Sequence, residues 1–328
     1  MKKLLSICIP TYNRAEFLPD AIESILNQIT SDIKDKVEIC ISDNASTDNT
    51  EEVIKKYQEK NICDIVYHKN KENIGADRNF LKVIEIANGE YCWWLGSDDA
   101  LESDILNELV SKIENTKIEF YLLTQNCYDK ALKNTIPCNK HPLLDENDKL
   151  LILNNLLNES IYLLGYISVL IVKKDLFLKK TPNEGKYIGS MYIHLYKILY
   201  LLNKNYKMYF IRKPIVKWRA DNDSFLNDLK LYGRIKIDID GYSSIAKDVF
   251  GEDSLEYKKV IQIRVFDKML RNILLLKLNG LNRNKILELY EDFKDNMFYY
   301  NLAKVLSLVP KEFVYFMKYM YRKTFKRY

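Results

Sequence analysis

The sequence predicts an α/β protein: a mostly parallel sheet flanked by helices, with a helical C-terminal region. Three observations carry that reading. Short apolar runs alternate with helical patterns through the first hundred residues, a polar loop follows each of the first four apolar runs, and from about residue 223 the pattern is helical. Repeated strand–helix units build parallel sheets, because a parallel return needs a crossover and a helix supplies it. The 328 residues suffice for one large or two ordinary domains with a real core.

The elements follow in order. Residues 4–9 form a buried strand. Residues 15–28 read as a helix with Phe17, Ala21, Ile22, Ile25 and Leu26 on one face, and Pro19 is tolerable in its first turns. Strands are expected at 37–42, 65–68 and 91–95, and helices at 50–60 and 78–87. Past residue 112 the pattern weakens: 118–124 and 168–172 read as strands, 129–141 as an irregular surface loop, and 148–157 and 191–202 as helices. Residues 206–211 and 215–218 read as two extended segments. Further on, Ile263, Phe266, Leu270 and Ile273 keep a 3-4-3 spacing that predicts a buried helix face, and Gly280 can end that helix. The expected division is a catalytic domain over 1–214 and a mainly helical region over 215–328.

Composition excludes several classes. The net charge of +5 is mild for this length and mixed in sign, so no nucleic-acid partner is expected. Six cysteines include no C-x-x-C pair; Cys8, Cys40 and Cys92 lie inside apolar runs, as small hydrophobes would in a reducing cytoplasm. The apolar run at 4–9 is too short for a signal peptide. The longest run, 161–172, is too short for a membrane span and is interrupted by glycine and tyrosines.

Parallel sheets bind ligands beyond the carboxyl ends of their strands. There the chain places Pro10-Thr11-Tyr12-Asn13-Arg14, the loop from Asp43 to Thr50, the loop from Asn73 to Asn79, and Gly96-Ser97-Asp98-Asp99. The adjacent carboxylates need water, a cation or donors nearby, although acids also begin helices. No G-x-G-x-x-G or Walker loop is present among only ten glycines, so a phosphate would lack a backbone cradle. Side chains could hold a nucleotide instead: Asp43 accepting from a base N–H, Arg78 on phosphate, and Asp98-Asp99 reaching a diphosphate through a divalent cation.

In this order and spacing, SICIPTYNR, ISDNASTDNT, NIGADRN and WWLGSDDAL resemble the family 2 glycosyltransferases of the GT-A fold. The resemblance covers residues 6–101 and fades afterwards. It implies that Pro10, Thr11, Tyr12 and Asp43 hold the nucleotide base, with Asn13, Arg14 and Asn44 nearby. It implies that Arg78 faces the nucleotide, and that Asp98 and Asp99 hold ribose and Mn²⁺ or Mg²⁺. The usual family form is Asp-Ser-Asp-Asp, and Gly96 replaces the first acid. The family draws its catalytic base from an acidic pair past the metal site, and none occurs there. NEGKYIGSMYIHLYKI stands in that place and is similar to the abequosyltransferase-like branch. The candidates for the base are His194, Glu184 and Asp221. His194 also reads as a helix histidine satisfied by a neighbour, and Glu184 as surface charge. Trp218 and Arg219, beside Asp221, would line an acceptor site or close a strand edge.

The activity implied is metal-dependent inverting transfer of a sugar, of the hexosyltransferase type. The donor would be a nucleoside diphosphate sugar, UDP-linked, and the acceptor a growing bacterial surface or lipid-linked glycan. The place of action would be the cytoplasm, peripheral to the inner face of the cell membrane. Residues 311–328 suit membrane contact: Phe313, Phe316, Met317 and Met320 share a helix face opposite Lys311, Lys318, Arg322 and Lys326. A terminal helix docked on its own domain would look the same. A nucleotidyltransferase and a non-catalytic scaffold that binds glycan or a partner protein are the alternatives.

Overall fold

The computed structural model describes residues 3–137, 147–159, 161–220, 222 and 224–315. By internal contacts the chain divides into two compact units, Met1–Asn222 and Asp223–Tyr328.

The first unit runs β1 (Leu5–Thr11), α1 (Leu18–Leu26), β2 (Val37–Asp43), α2 (Thr50–Glu59), β3 (Asp64–Lys69), α3 (Ala76–Ile86), β4 (Tyr91–Trp94), β5 (Ala100–Leu101) and α4 (Leu106–Thr116). It continues with β6 (Phe120–Tyr128), β7 (Lys149–Leu151), α5 (Leu153–Glu159), β8 (Leu170–Lys173), α6 (Lys174–Phe177), α7 (Ile193–Leu202) and β9 (Met208–Arg219). The strands form one sheet in the order β3-β2-β1-β4-β8-β6-β9-β5, with β7 also paired to β9. The first four are mutually parallel. β8 runs antiparallel between β4 and β6. β1, β2 and β4 are buried along their whole lengths, as strands covered on both faces must be. The register pairs Thr11 with Asp43, Asp43 with Lys69 and Cys8 with Trp94, which brings the four polar loops to one edge.

Local pattern and structure part where tertiary pairing decides. The helix expected from 148 begins only at Leu153, because residues 149–151 pair antiparallel with β9. The two extended segments after residue 206 are the single strand β9, so the expected boundary at Pro214 falls inside it. Pro214 sits where the β6–β9 register shifts beside Thr124, and such an irregularity spares a proline the ladder bond it cannot donate. Cys8, Cys40, Cys63 and Cys92 are free and buried, whereas Cys127 is disulfide-bonded and departs from uniformly reduced thiols.

The second unit contains α8 (Ser224–Phe250, kinked at Lys230), α9 (Leu255–Ile261), a π-helical turn over 262–266, α10 (Asp267–Leu278), α11 (Arg283–Glu288) and α12 (Met297–Leu308). Val265, Met269, Ile273 and Leu276 face its core, while Leu270 is exposed. Of the expected series, Ile273 lies in that core and Phe266 packs against it, while Ile263 is partly buried beside the π turn. Gly280, at φ +81°, follows the end of α10 in the left-handed region. Among the described residues no helix is long and apolar enough to cross a membrane. Most of the amphipathic stretch at 311–328 lies outside the described residues.

Candidate active site

The first two loops are latched together. Asn13 N donates to Ser46 Oγ at 2.8 Å, Thr47 N donates to Asn13 Oδ1 at 2.8 Å, and Ala15 N donates to Asp48 Oδ2 at 3.0 Å. Pro10 and Thr11 are buried at the end of β1, and Thr11 Oγ1 has no partner among the described residues. Tyr12 is exposed.

Asp43 is fully buried. Its Oδ1 accepts from Ser46 N at 2.8 Å and its Oδ2 from Tyr67 Oη at 2.9 Å. Both oxygens shape the loop, and each keeps a second lone pair. Burial and the Asp43 carboxylate push the Tyr67 phenol upward. Asn44 is likewise committed: its Oδ1 accepts from Asn70 Nδ2 and Ile74 N, and its Nδ2 donates to Asn73 Oδ1 at 2.8 Å. It ties the second loop to the third. Arg78 is exposed, with one long bond of 3.5 Å to Ile74 O.

Its neighbour Asp77 was missed by sequence reasoning. The buried carboxylate accepts from Gly189 N at 2.7 Å, Met191 N at 2.8 Å and Ile193 N at 3.2 Å. It therefore caps the start of α7 from the start of α3. Burial raises its pKa, and the three N–H donors oppose that shift. No spacing rule pairs residue 77 with 189–193.

The turn after β4 closes with Asp99 N donating to Gly96 O at 3.0 Å. Asp99 is 2 % exposed. Its Oδ2 accepts from Tyr166 Oη and Ser168 Oγ, both at 2.6 Å, and its Oδ1 from Arg219 N at 3.2 Å. Burial and then the adjacent Asp98 carboxylate push its pKa to about 7. Asp99 is thus a buried hub and not the open metal ligand expected. Gly96 follows from this packing: a Cβ there would sit 2.7 Å from Asp99 Oδ2 and 3.2 Å from Ser168 Oγ.

Asp98 is only half-buried. Its Oδ2 accepts from Asn222 Nδ2 at 2.6 Å, and Asn222 Oδ1 accepts from Arg14 Nη1 at 3.4 Å. Burial raises its pKa, while the Arg14 charge acts in the opposite sense. Arg219 holds the turn from beneath: Nε donates to Asp98 O at 2.7 Å and Nη2 pairs with Asp20 at 2.6 Å. It closes this edge as a buried latch. Among the described residues no three His, Cys, Asp or Glu side chains gather to hold a metal. The donor set fits a cation that takes Asp98 from the protein and its other ligands from a diphosphate and water.

Two candidates for the base are corrected. His194 is 1 % exposed and packs against Phe80, Trp94 and Tyr192. Burial lowers its pKa to about 4, so it is a neutral core residue. Glu184 accepts from Lys197 Nζ at 2.8 Å and from Thr181 N and Oγ1. Burial alone would raise its pKa, but the Lys197 and Thr181 bonds bring it below the usual value. It neutralises a buried lysine and is no base. Asp221 lies outside the described residues.

Residues 6–166 match the family model "Glycosyl transferase family 2". The abequosyltransferase RfbV of Salmonella typhimurium is 38 % identical over 263 residues, covering 76 % of this chain and 76 % of that protein. The chain belongs to glycosyl transferase family 2. An uncharacterized glycosyltransferase of Mycoplasma genitalium, MG060, is 39 % identical over 97 residues, 29 % of this chain and 32 % of that protein. Among solved structures, S. aureus TarS 1–349 in complex with UDP aligns with a TM-score of 0.62 at 15 % identity, covering 98 % of this chain and 91 % of the other. The mannosyltransferase PcManGT from Pyrobaculum calidifontis, in complex with GDP-Man and Mn²⁺, aligns at 0.56 and 12 % identity, covering 100 % and 89 %. These likenesses show the GT-A fold. In this family 2 glycosyltransferase, a Cβ at the position of the usual first acid would meet the Asp99 carboxylate.

Proposed function

We propose that this glycosyltransferase takes a nucleoside diphosphate sugar, UDP-linked, and transfers the sugar with inversion to a growing bacterial surface or lipid-linked glycan. The observation that carries the reading is Asp98, which the folded turn leaves half-buried at the sheet edge with Arg14 and Asn222 around it. The shared fold of TarS bound to UDP and PcManGT bound to GDP-Man supports a nucleotide-sugar donor.

Each side chain has a task in this reading. Tyr12 offers an exposed ring for the base to stack on. Arg78 and Arg14 supply charge-assisted donors to phosphate oxygens. Asp98 would hold Mn²⁺ or Mg²⁺ together with the diphosphate, and the cation would neutralise charge on the leaving group. Asp99, Arg219 and Gly96 fix the turn that presents Asp98. With His194 and Glu184 committed elsewhere, Asp221 remains the candidate that takes the acceptor proton. Its loss should lower kcat by roughly 10²-fold or more. The enzyme would act in the cytoplasm, peripheral to the inner face of the membrane.

The test is to incubate the protein with UDP-, GDP-, CDP- and dTDP-sugars, Mn²⁺ and glycan acceptors, and to assay the released nucleotide. Release of a nucleoside diphosphate, with an inverted anomeric proton in the product, is expected. In a parallel incubation with nucleoside triphosphates and sugar 1-phosphates, formation of a nucleotide sugar with pyrophosphate release would make the protein a nucleotidyltransferase. No turnover with any donor would favour the scaffold.

A further inference from the structure

α12 is apolar on two faces. Its inner face places Ala303 in the core of the second unit, with Tyr299, Tyr300 and Leu306 packed against that core. Its outer face presents Met297, Phe298, Leu302, Val305 and Leu308, each 37–72 % exposed. At 100° per residue these five fall within an arc of about 140°, interrupted only by Asn301. Phe313 and Tyr315, in the helical turn that follows, are also about half exposed. A helix apolar all round is normally covered all round, and an exposed apolar stripe of this kind marks an interaction surface.

Charge names the occupant. Residues 297–328 carry seven Lys and Arg against one acidic residue, a net +6, whereas the whole chain carries +5. The preceding 296 residues are therefore net −1, and the positive excess of the protein lies in this segment. Ten of the 32 residues are Phe or Tyr. An exposed apolar and aromatic face in a segment whose sequence carries this charge matches the boundary of an anionic bilayer, where rings sit at headgroup depth and cations meet phosphate.

We propose that the outer face of α12 binds anionic lipid surfaces. The proposal involves no step of sugar transfer, so its failure would leave the enzymatic reading untouched. The experiment is flotation of the full-length protein with vesicles of phosphatidylcholine alone, or with a third phosphatidylglycerol, at low and high salt. Binding to the anionic vesicles should exceed that to neutral ones by about tenfold and weaken at high salt. The double variant Phe298→Glu, Val305→Glu should lose at least about tenfold of that binding. Both side chains are exposed, so the variant should keep its circular dichroism spectrum and unfolding midpoint. Equal binding to both vesicle types, or binding unchanged in the folded double variant, would overturn the proposal. So would a concentration-dependent dimer, seen by sedimentation, that the variant abolishes while anionic vesicles stay unbound.

Discussion

A Cβ on Gly96 would lie 2.7 Å from Asp99 Oδ2, the oxygen that Tyr166 and Ser168 hold at 2.6 Å each. The end of an unrestrained side chain could move aside, but this one is buried and pinned by two hydroxyls. Gly96→Ala should therefore destabilise the protein by about 1–3 kcal/mol, the range for overpacking a filled site. Gly96→Asp, which restores the usual family acid, should be worse. Urea denaturation reads both effects, and an unchanged midpoint in Gly96→Ala would show that the carboxylate moves freely.

Asp99 also sets a pH dependence. Its carboxyl titrates near 7 in the folded chain and near 4 when unfolded. Between these values the folded state holds the extra proton. Stability should fall as pH rises from about 4 to about 7, by at most about 4 kcal/mol, and level off above. Asp99→Asn removes the titrating group, so its unfolding free energy should change less over that window. Parallel curves for the two proteins would contradict the burial.

His194 acts with the opposite sign. Its pKa is near 4 folded and near 6.5 unfolded, so the unfolded state binds the extra proton between them. The stability of the neutral ring is complete above about pH 6.5 and lost as pH falls toward 4. His194→Leu should flatten that acid limb and keep kcat within a few-fold. A drop of roughly 10²-fold in kcat without unfolding would return His194 to the role of base.

Asp77→Ala should cost about 2–4 kcal/mol, because three backbone N–H groups at the start of α7 lose one charged acceptor. Asp77→Asn should recover part of that loss. Thermal unfolding indistinguishable from wild type in Asp77→Ala would mean that other groups cap the helix.

Much of this was legible in the sequence, for identifiable reasons. β1, β2 and β4 are continuous apolar runs, so their existence and the edge their loops share follow from local pattern. The family motifs lie on those same strands. What failed depended on contacts far along the chain. Asp77 meets residues 189–193, Asp99 meets Tyr166, Ser168 and Arg219, and His194 is enclosed by Phe80 and Trp94. Residue type alone makes each of these a candidate for chemistry. Only packing separates Asp98, half-exposed beside Arg14, from Asp99, which is spent on three protein donors.

That separation is tested most directly by calorimetric titration of UDP, GDP, CDP and dTDP into wild type, Asp98→Asn and Asp99→Asn, each with Mn²⁺ and with EDTA. Mn²⁺ should tighten binding of at least one nucleoside diphosphate by about tenfold, roughly 1.4 kcal/mol, in wild type and in folded Asp99→Asn. Asp98→Asn should bind the same nucleotide without that gain. A gain that survives in Asp98→Asn and vanishes in folded Asp99→Asn, or no diphosphate bound by any of the three, would contradict the account.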